Sequence, residues 1–179
     1  MEIVLIILMV LISGVAILYA VISHLKKIER EKYYMAAGNI VREDFLDYSL
    51  QNPMNNDGSR VQPKTKKMMV YIKSKSSGKK AQFVFDPEKN IFIGRDKFNS
   101  NIYINESSVS QHHCKIFSQD NIVYLQDMNS SNGTVVQRGL FKKFLVSSSQ
   151  WVQLQSNDTI IVGTKKLKII LFFYDMSVM

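Results

Sequence analysis

The chain has 179 residues and a mass of 20.6 kDa, room for one ordinary domain and something more. Hydrophobic content of 46% beside 21% charged residues excludes a wholly disordered chain. The net charge is +8, while one cysteine and three histidines exclude an intramolecular disulfide, exclude a Cys-only metal site and leave little for structural zinc.

Residues 3–22 form a run without charge, broken only by Ser13, Gly14 and Tyr19. A helix of 20 residues rises about 30 Å, the thickness of a bilayer core, so the run reads as a transmembrane anchor over residues 1–23. A cleaved signal peptide is the competing reading. It wants a basic start, a shorter apolar stretch and a small-x-small cleavage site, whereas this chain offers Met1-Glu2, a long run and Leu18-Tyr19-Ala20. Lys26, Lys27, Arg30 and Lys32 follow the run and no Lys or Arg precedes it, so the N-terminus is expected outside and the rest in the cytoplasm.

Residues 24–67 read as a juxtamembrane helix and linker. The first part, to about Leu50, mixes Lys and Glu without proline and can stay helical, although Gly38-Asn39 weakens it. Gln51 to Ser59 is polar and turn-rich, as a linker is. The Tyr33-Tyr34 pair beside the basic flank reads as interfacial anchoring.

From residue 68 to residue 179 the helical period gives way to short β-branched and aromatic runs separated by turn signals. Strands are expected at 69–72, 82–85, 91–93, 102–104, 113–117, 122–126, 134–136, 151–154, 159–162 and 167–173. So many short strands predict an all-β sandwich or barrel. The 169–173 run is continuously apolar, as a doubly buried strand is, and Trp151 is expected in the core. This part carries +6 of the charge, which favours acidic partners: nucleic acid, anionic lipid or phosphorylated protein.

Polar residues gather between the strands: Gly94-Arg95, Ser110-Gln111-His112-His113 and Asp127-Met128-Asn129-Ser130-Ser131-Asn132-Gly133-Thr134. In order and spacing they resemble the signature of the forkhead-associated (FHA) domain, a phosphothreonine-binding β-sandwich. Leu154-Gln155-Ser156-Asn157-Asp158-Thr159-Ile160 resembles a further family element, with Asn157 where glycine is usual; Asn tolerates the same left-handed backbone. The resemblance covers about residues 69–174 and implies an FHA-like β-sandwich of ten to eleven strands.

Position by position, the resemblance implies phosphate contacts at Arg95, Ser110, Gln111 and Ser131, with Asn132 clamping the peptide backbone. Gln111 stands where the family often has Arg or Asn. Gly94, His113, Gly133 and Thr134 are implied as structural support. The residue chemistry agrees, because a phosphothreonine brings about −1.5 to −2 charge and three acceptor oxygens. A guanidinium fork, hydroxyls and backbone N–H groups on rigidly mounted loops suit it.

Each residue also has a plainer reading: Arg95 as a surface charge, Ser110 as a local turn, Asn132-Gly133 as a hairpin tip. His112, His113 and Cys114 are expected to alternate faces along a strand, which makes a poor metal triad.

A hydrolase using Ser110 and His113 lacks a third orienting group, and the chain shows no nucleophile elbow or phosphate loop. No catalytic residue, cofactor or metal is therefore expected. The expected function is a membrane-tethered, cytoplasm-facing phosphothreonine-peptide adaptor downstream of a Ser/Thr kinase. Bacterial proteins of this family with one span are often associated with cell-envelope growth, division or secretion, which the resemblance carries as an analogy. The alternative is a basic β-domain binding nucleic acid or anionic lipid non-specifically. Lys79-Lys80, Lys142-Lys143 and Lys165-Lys166 are scattered without aromatic interleaving, so no nucleic acid is expected.

Overall fold

The structure is a computed structural model that describes residues 1–51, 66–76 and 79–175; the turn-rich stretch after Gln51 lies outside the described residues. The chain divides into two compact units, Met1–Ala36 and Ala37–Met179.

Helix α1 (Glu2–Gln51) begins with the uncharged run, whose apolar side chains are all exposed, and it is long and apolar enough to cross a membrane. Arg30 lies over the Tyr34 ring, 5.1 Å from its centroid. The helix continues through Gly38-Asn39, where the sequence suggested a break. A mid-helix glycine costs about 1 kcal/mol relative to alanine. Packing accounts for its presence: a Cβ at Gly38 would lie 2.7 Å from the Tyr174 hydroxyl.

The second unit is all-β beyond that helix segment. Its strands are β1 (Lys66–Ser76), β2 (Lys79–Phe85), β3 (Ile91–Gly94), β4 (Ile102–Tyr103), β5 (Cys114–Gln119), β6 (Ile122–Asp127), β7 (Thr134–Arg138), β8 (Lys142–Val146), β9 (Trp151–Gln153), β10 (Thr159–Val162) and β11 (Lys165–Asp175). A 3-10 turn, Pro87–Lys89, joins β2 to β3, capped by Asp86 accepting from the Glu88 N–H.

One sheet runs β2-β1-β11-β10-β7-β8 and the other β4-β3-β5-β6-β9, the two-layer β-sandwich the strand pattern predicts. Val70, Ile72, Ile93, Ile116, Leu125, Val136, Ile160 and Ile169 fill the space between them. Pairing is antiparallel except between β3 and β4.

The outer face of β1 and β11 is also covered. Met69 and Tyr71 alternate with the core residues Val70 and Ile72, and Phe172 and Tyr174 share their face; all four are buried. Ala37 and Val41 of α1 are buried as well, and Asp44 meets Lys67 at 2.9 Å, so this part of the helix lies on that face. The 169–173 run is thus covered on both faces except at Phe173, which is half exposed.

Two expectations are corrected. Strand β8 was missed because it is an edge strand with the burial pattern exposed, exposed, half-buried, exposed, buried, which leaves no readable alternation. Trp151 is 54% exposed rather than in the core, because β9 is the other sheet's edge and this side chain faces outward. There it meets the Phe117 ring edge-on at 5.0 Å, beside Tyr124.

Candidate functional site

Three connections converge at one end of the sandwich: residues 95–101 after β3, 104–113 before β5 and 128–133 between β6 and β7. Because β6 and β7 belong to different sheets, Asn132-Gly133 lies on a crossover and is not a hairpin tip. The first two connections are laced through backbone groups. Arg95 N–H donates to the Ser110 carbonyl at 2.9 Å, and Asp96 N–H to the Gln111 carbonyl at 3.3 Å. Such close approach needs Gly94, where a Cβ would lie 2.0 Å from the Gln111 oxygen.

His113 ties the second connection to the third. It is fully buried; its Nδ1 accepts the Ser110 N–H at 3.1 Å, and its Nε2 lies 3.2 Å from the Gly133 carbonyl. Because Nδ1 accepts, Nε2 carries the proton and donates to Gly133. The residue precedes β5, and both His113 and Cys114 are buried, so the expected strict alternation of faces fails at this bend. The same burial pushes the Cys114 thiol up to about 12. Among the described residues, no group of His, Cys, Asp or Glu could hold a metal ion.

Asp127 shapes the third connection. Its carboxylate, buried at the end of β6, accepts from the Ser130 N–H at 2.9 Å, the Ser130 hydroxyl at 2.6 Å and the Thr134 hydroxyl at 2.6 Å. Thr134 is fully buried, so its hydroxyl depends on that partner. Gly133 has φ +74°, the left-handed region that glycine enters without steric cost.

The crossover therefore brings Ser131 against Ser110. The Ser131 N–H donates to the Ser110 hydroxyl oxygen at 3.0 Å, and the two hydroxyls are 3.4 Å apart. Asn132 donates its side-chain amide to the Ser108 carbonyl at 2.7 Å. Arg95 Nε donates to the Val109 carbonyl at 3.1 Å. Arg95, Gln111, Ser131 and Asn132 are exposed and Ser110 is half-buried. Among the described residues, the terminal guanidinium nitrogens of Arg95 make no hydrogen bond. The resulting surface combines one cation, two neighbouring hydroxyls and a fixed carboxamide, an arrangement fit for a tetrahedral dianion next to an extended backbone.

Sequence reasoning missed several supports. The Ser108 and Val109 carbonyls are held by site side chains, but any residue supplies a carbonyl, so no side-chain signal marks them. Glu106 accepts from the Thr164 N–H and hydroxyl at 2.9 and 2.7 Å and pairs with Lys165 at 3.3 Å. These partners, the Thr164 N–H foremost, hold its carboxyl below the usual range and fix the 104–113 connection to the β10–β11 turn. Asp158 is the analogous anchor for β7. Buried, it pairs with Arg138 at 2.7 Å and accepts the Gln155 N–H, while Asn157 beside it adopts φ +76° as its glycine-like position requires.

The model of the FHA domain family matches residues 91–163. Among solved structures, the FHA domain of an Arabidopsis thaliana hypothetical protein is 24% identical, covers 66% of this chain and 96% of its own, and has a TM-score of 0.50, a likeness of fold. The FHA domain of CT664 from Chlamydia trachomatis is 25% identical over 57% of this chain and 96% of its own, with a TM-score of 0.44. The MEK1 FHA domain, solved in complex with a phosphothreonine peptide of HOP1, is 18% identical over 57% and 95%, with a TM-score of 0.46. No curated protein matches the chain. The match to the FHA domain family therefore runs from β3 through β10 of the sandwich.

Proposed function

We propose that this protein is a membrane-tethered adaptor that binds phosphothreonine peptides at the surface formed by Arg95, Ser110, Gln111, Ser131 and Asn132. FHA domains are phosphopeptide-binding modules rather than enzymes, which supports a binding role. The observation that carries the finer reading is the preformed contact between Ser110 and Ser131, with Arg95 braced next to it on the Val109 carbonyl. In this reading the terminal nitrogens of Arg95 and the hydroxyls of Ser110 and Ser131 grip the phosphate, with Gln111 at the rim. Asn132, held through its amide, presents its carbonyl oxygen to a peptide N–H. Gly94, His113, Gly133 and Thr134 keep the connections in place.

The ligand requires a Ser/Thr kinase on the same side of the membrane. The uncharged run in α1 supplies the tether, and the basic residues after it favour a cytoplasmic domain with the N-terminus outside. A role in cell-envelope growth or division extends this reading by analogy. The test is capture from a phosphothreonine peptide library by the full chain in nanodiscs, against the same library unphosphorylated. Selective retention of phosphorylated members is expected. Equal retention of both libraries would replace this reading with plain charge attraction.

A further inference from the structure

At the end of the domain away from the site, strands β7 and β8 turn through Gly139, Leu140 and Phe141. Leu140 is 82% and Phe141 93% exposed, neighbours at a hairpin tip that pack on nothing in the domain. Lone exposed apolar residues are ordinary, but two adjacent bulky ones at a tip are a contact surface in waiting. Lys142 and Lys143 follow immediately, both exposed. The base is tied to neighbouring segments: Arg138 forms a two-pronged pair with Asp158 at 2.9 and 2.7 Å and reaches the Gln153 carbonyl.

Register fixes which end of the domain this is. Ser74, Leu167, Ile160 and Val136 lie in one row across β1, β11, β10 and β7, followed by Lys73, Lys168, Thr159 and Gln137. From those rows, β7 runs to the tip while β1 runs back to Lys66 and β11 on to Asp175. The tip thus shares the end at which the chain from α1 joins the sheet, and the crossover carrying Ser131 and Asn132 leads into the opposite end of β7.

We propose that this hairpin tip is a second membrane contact, with Leu140 and Phe141 dipping into the headgroup layer of an anionic bilayer and Lys142 and Lys143 against its phosphates. Paired apolar tip and adjoining cations are the chemistry of interfacial insertion. Each lysine near an anionic surface is worth roughly a fivefold gain in partition. A docked tip turns the recognition end away from the lipid. The proposal rests on the tether of the proposed function but not on its phosphothreonine ligand.

The test places an environment-sensitive fluorophore at Leu140→Cys in the full chain, which the buried Cys114 leaves as the reactive thiol. The same label at Ser107→Cys, exposed on the 104–113 connection, is the control. Vesicles are pure phosphatidylcholine or contain about one third phosphatidylglycerol, with and without nitroxide lipid. The expected result is a blue shift and strong nitroxide quenching at 140 in anionic vesicles, none at 107, and more than tenfold weaker dependence on anionic lipid in Lys142→Glu/Lys143→Glu. Chains that float with vesicles while the 140 probe stays aqueous overturn the hairpin contact alone. A shift that tracks protein density instead of lipid charge also overturns it, in favour of a second copy. Chains that fail to float overturn the tether and this proposal together, whatever peptide they bind.

Discussion

The backbone N–H of Ser110 donates to Nδ1 of a fully buried His113 at 3.1 Å, so a residue proposed to touch phosphate is positioned by one that cannot touch it. His113→Ala removes both ring contacts and leaves a cavity, a loss of roughly 2–4 kcal/mol. Melting temperature and peptide affinity should fall together. A variant of unchanged stability that loses only binding would refute the bracing role.

Arg95→Ala should weaken a phosphothreonine peptide about tenfold to over a hundredfold, since a hydrogen bond to a charged group contributes roughly 1.5–3 kcal/mol. Lys166→Ala, exposed on β11 two strands across the sheet from β7, should change little at physiological salt, where charges are screened within about 8 Å. Isothermal titration of both variants with phosphothreonine, phosphoserine and unmodified peptides separates recognition from charge attraction. Equal losses in the two variants would favour a basic surface.

Cutting the chain before Lys67 should uncover Met69, Tyr71, Phe172 and Tyr174 and remove the Asp44 partner of Lys67. A fragment spanning residues 37–179 should therefore melt higher and bind less hydrophobic dye than one spanning 67–179. Equal melting temperatures would mean that the helix segment adds nothing to the sheet.

Burial pushes the Asp44 carboxyl up, but hydrogen bonds from Lys89 and Lys67 outweigh it and hold the group below the usual range. A depressed carboxyl adds stability at neutral pH and loses it as pH falls through its folded value. Lys67 runs the other way: burial lowers it, yet Asp44 and Asp86 hold it above the usual lysine value, so its contribution is lost only at strongly alkaline pH. Denaturant titrations from pH 7 to pH 3 should show a steeper loss in wild type than in Asp44→Asn. Parallel curves would contradict the assignment.

Cys114, with its thiol at about 12, should not react with a thiol reagent at pH 8 until the domain unfolds. Labelling kinetics across denaturant then report opening of β5, and fast labelling in native buffer would contradict its burial.

The order of polar motifs was legible because each of these connections needs particular side chains: a glycine that admits the Gln111 carbonyl, a serine facing another serine, an aspartate capping Ser130. The core strands were legible because both faces impose a pattern. Three of the four edge strands were legible too, but β8 and the outward face of Trp151 were not: they sit where one side has no neighbour, so their sequence obeys solvent rather than packing. The burial of Met69 and Tyr71 on the outer face was equally hidden, since it arises from a helix segment distant in sequence.

Two side chains of the proposed site, Arg95 and Asn132, are already fastened to the adjacent carbonyls of Val109 and Ser108. A ligand would meet groups whose freedom was surrendered during folding, so encounter rather than rearrangement should govern how fast it docks. Differences between peptides should then be written mainly in how long each one stays.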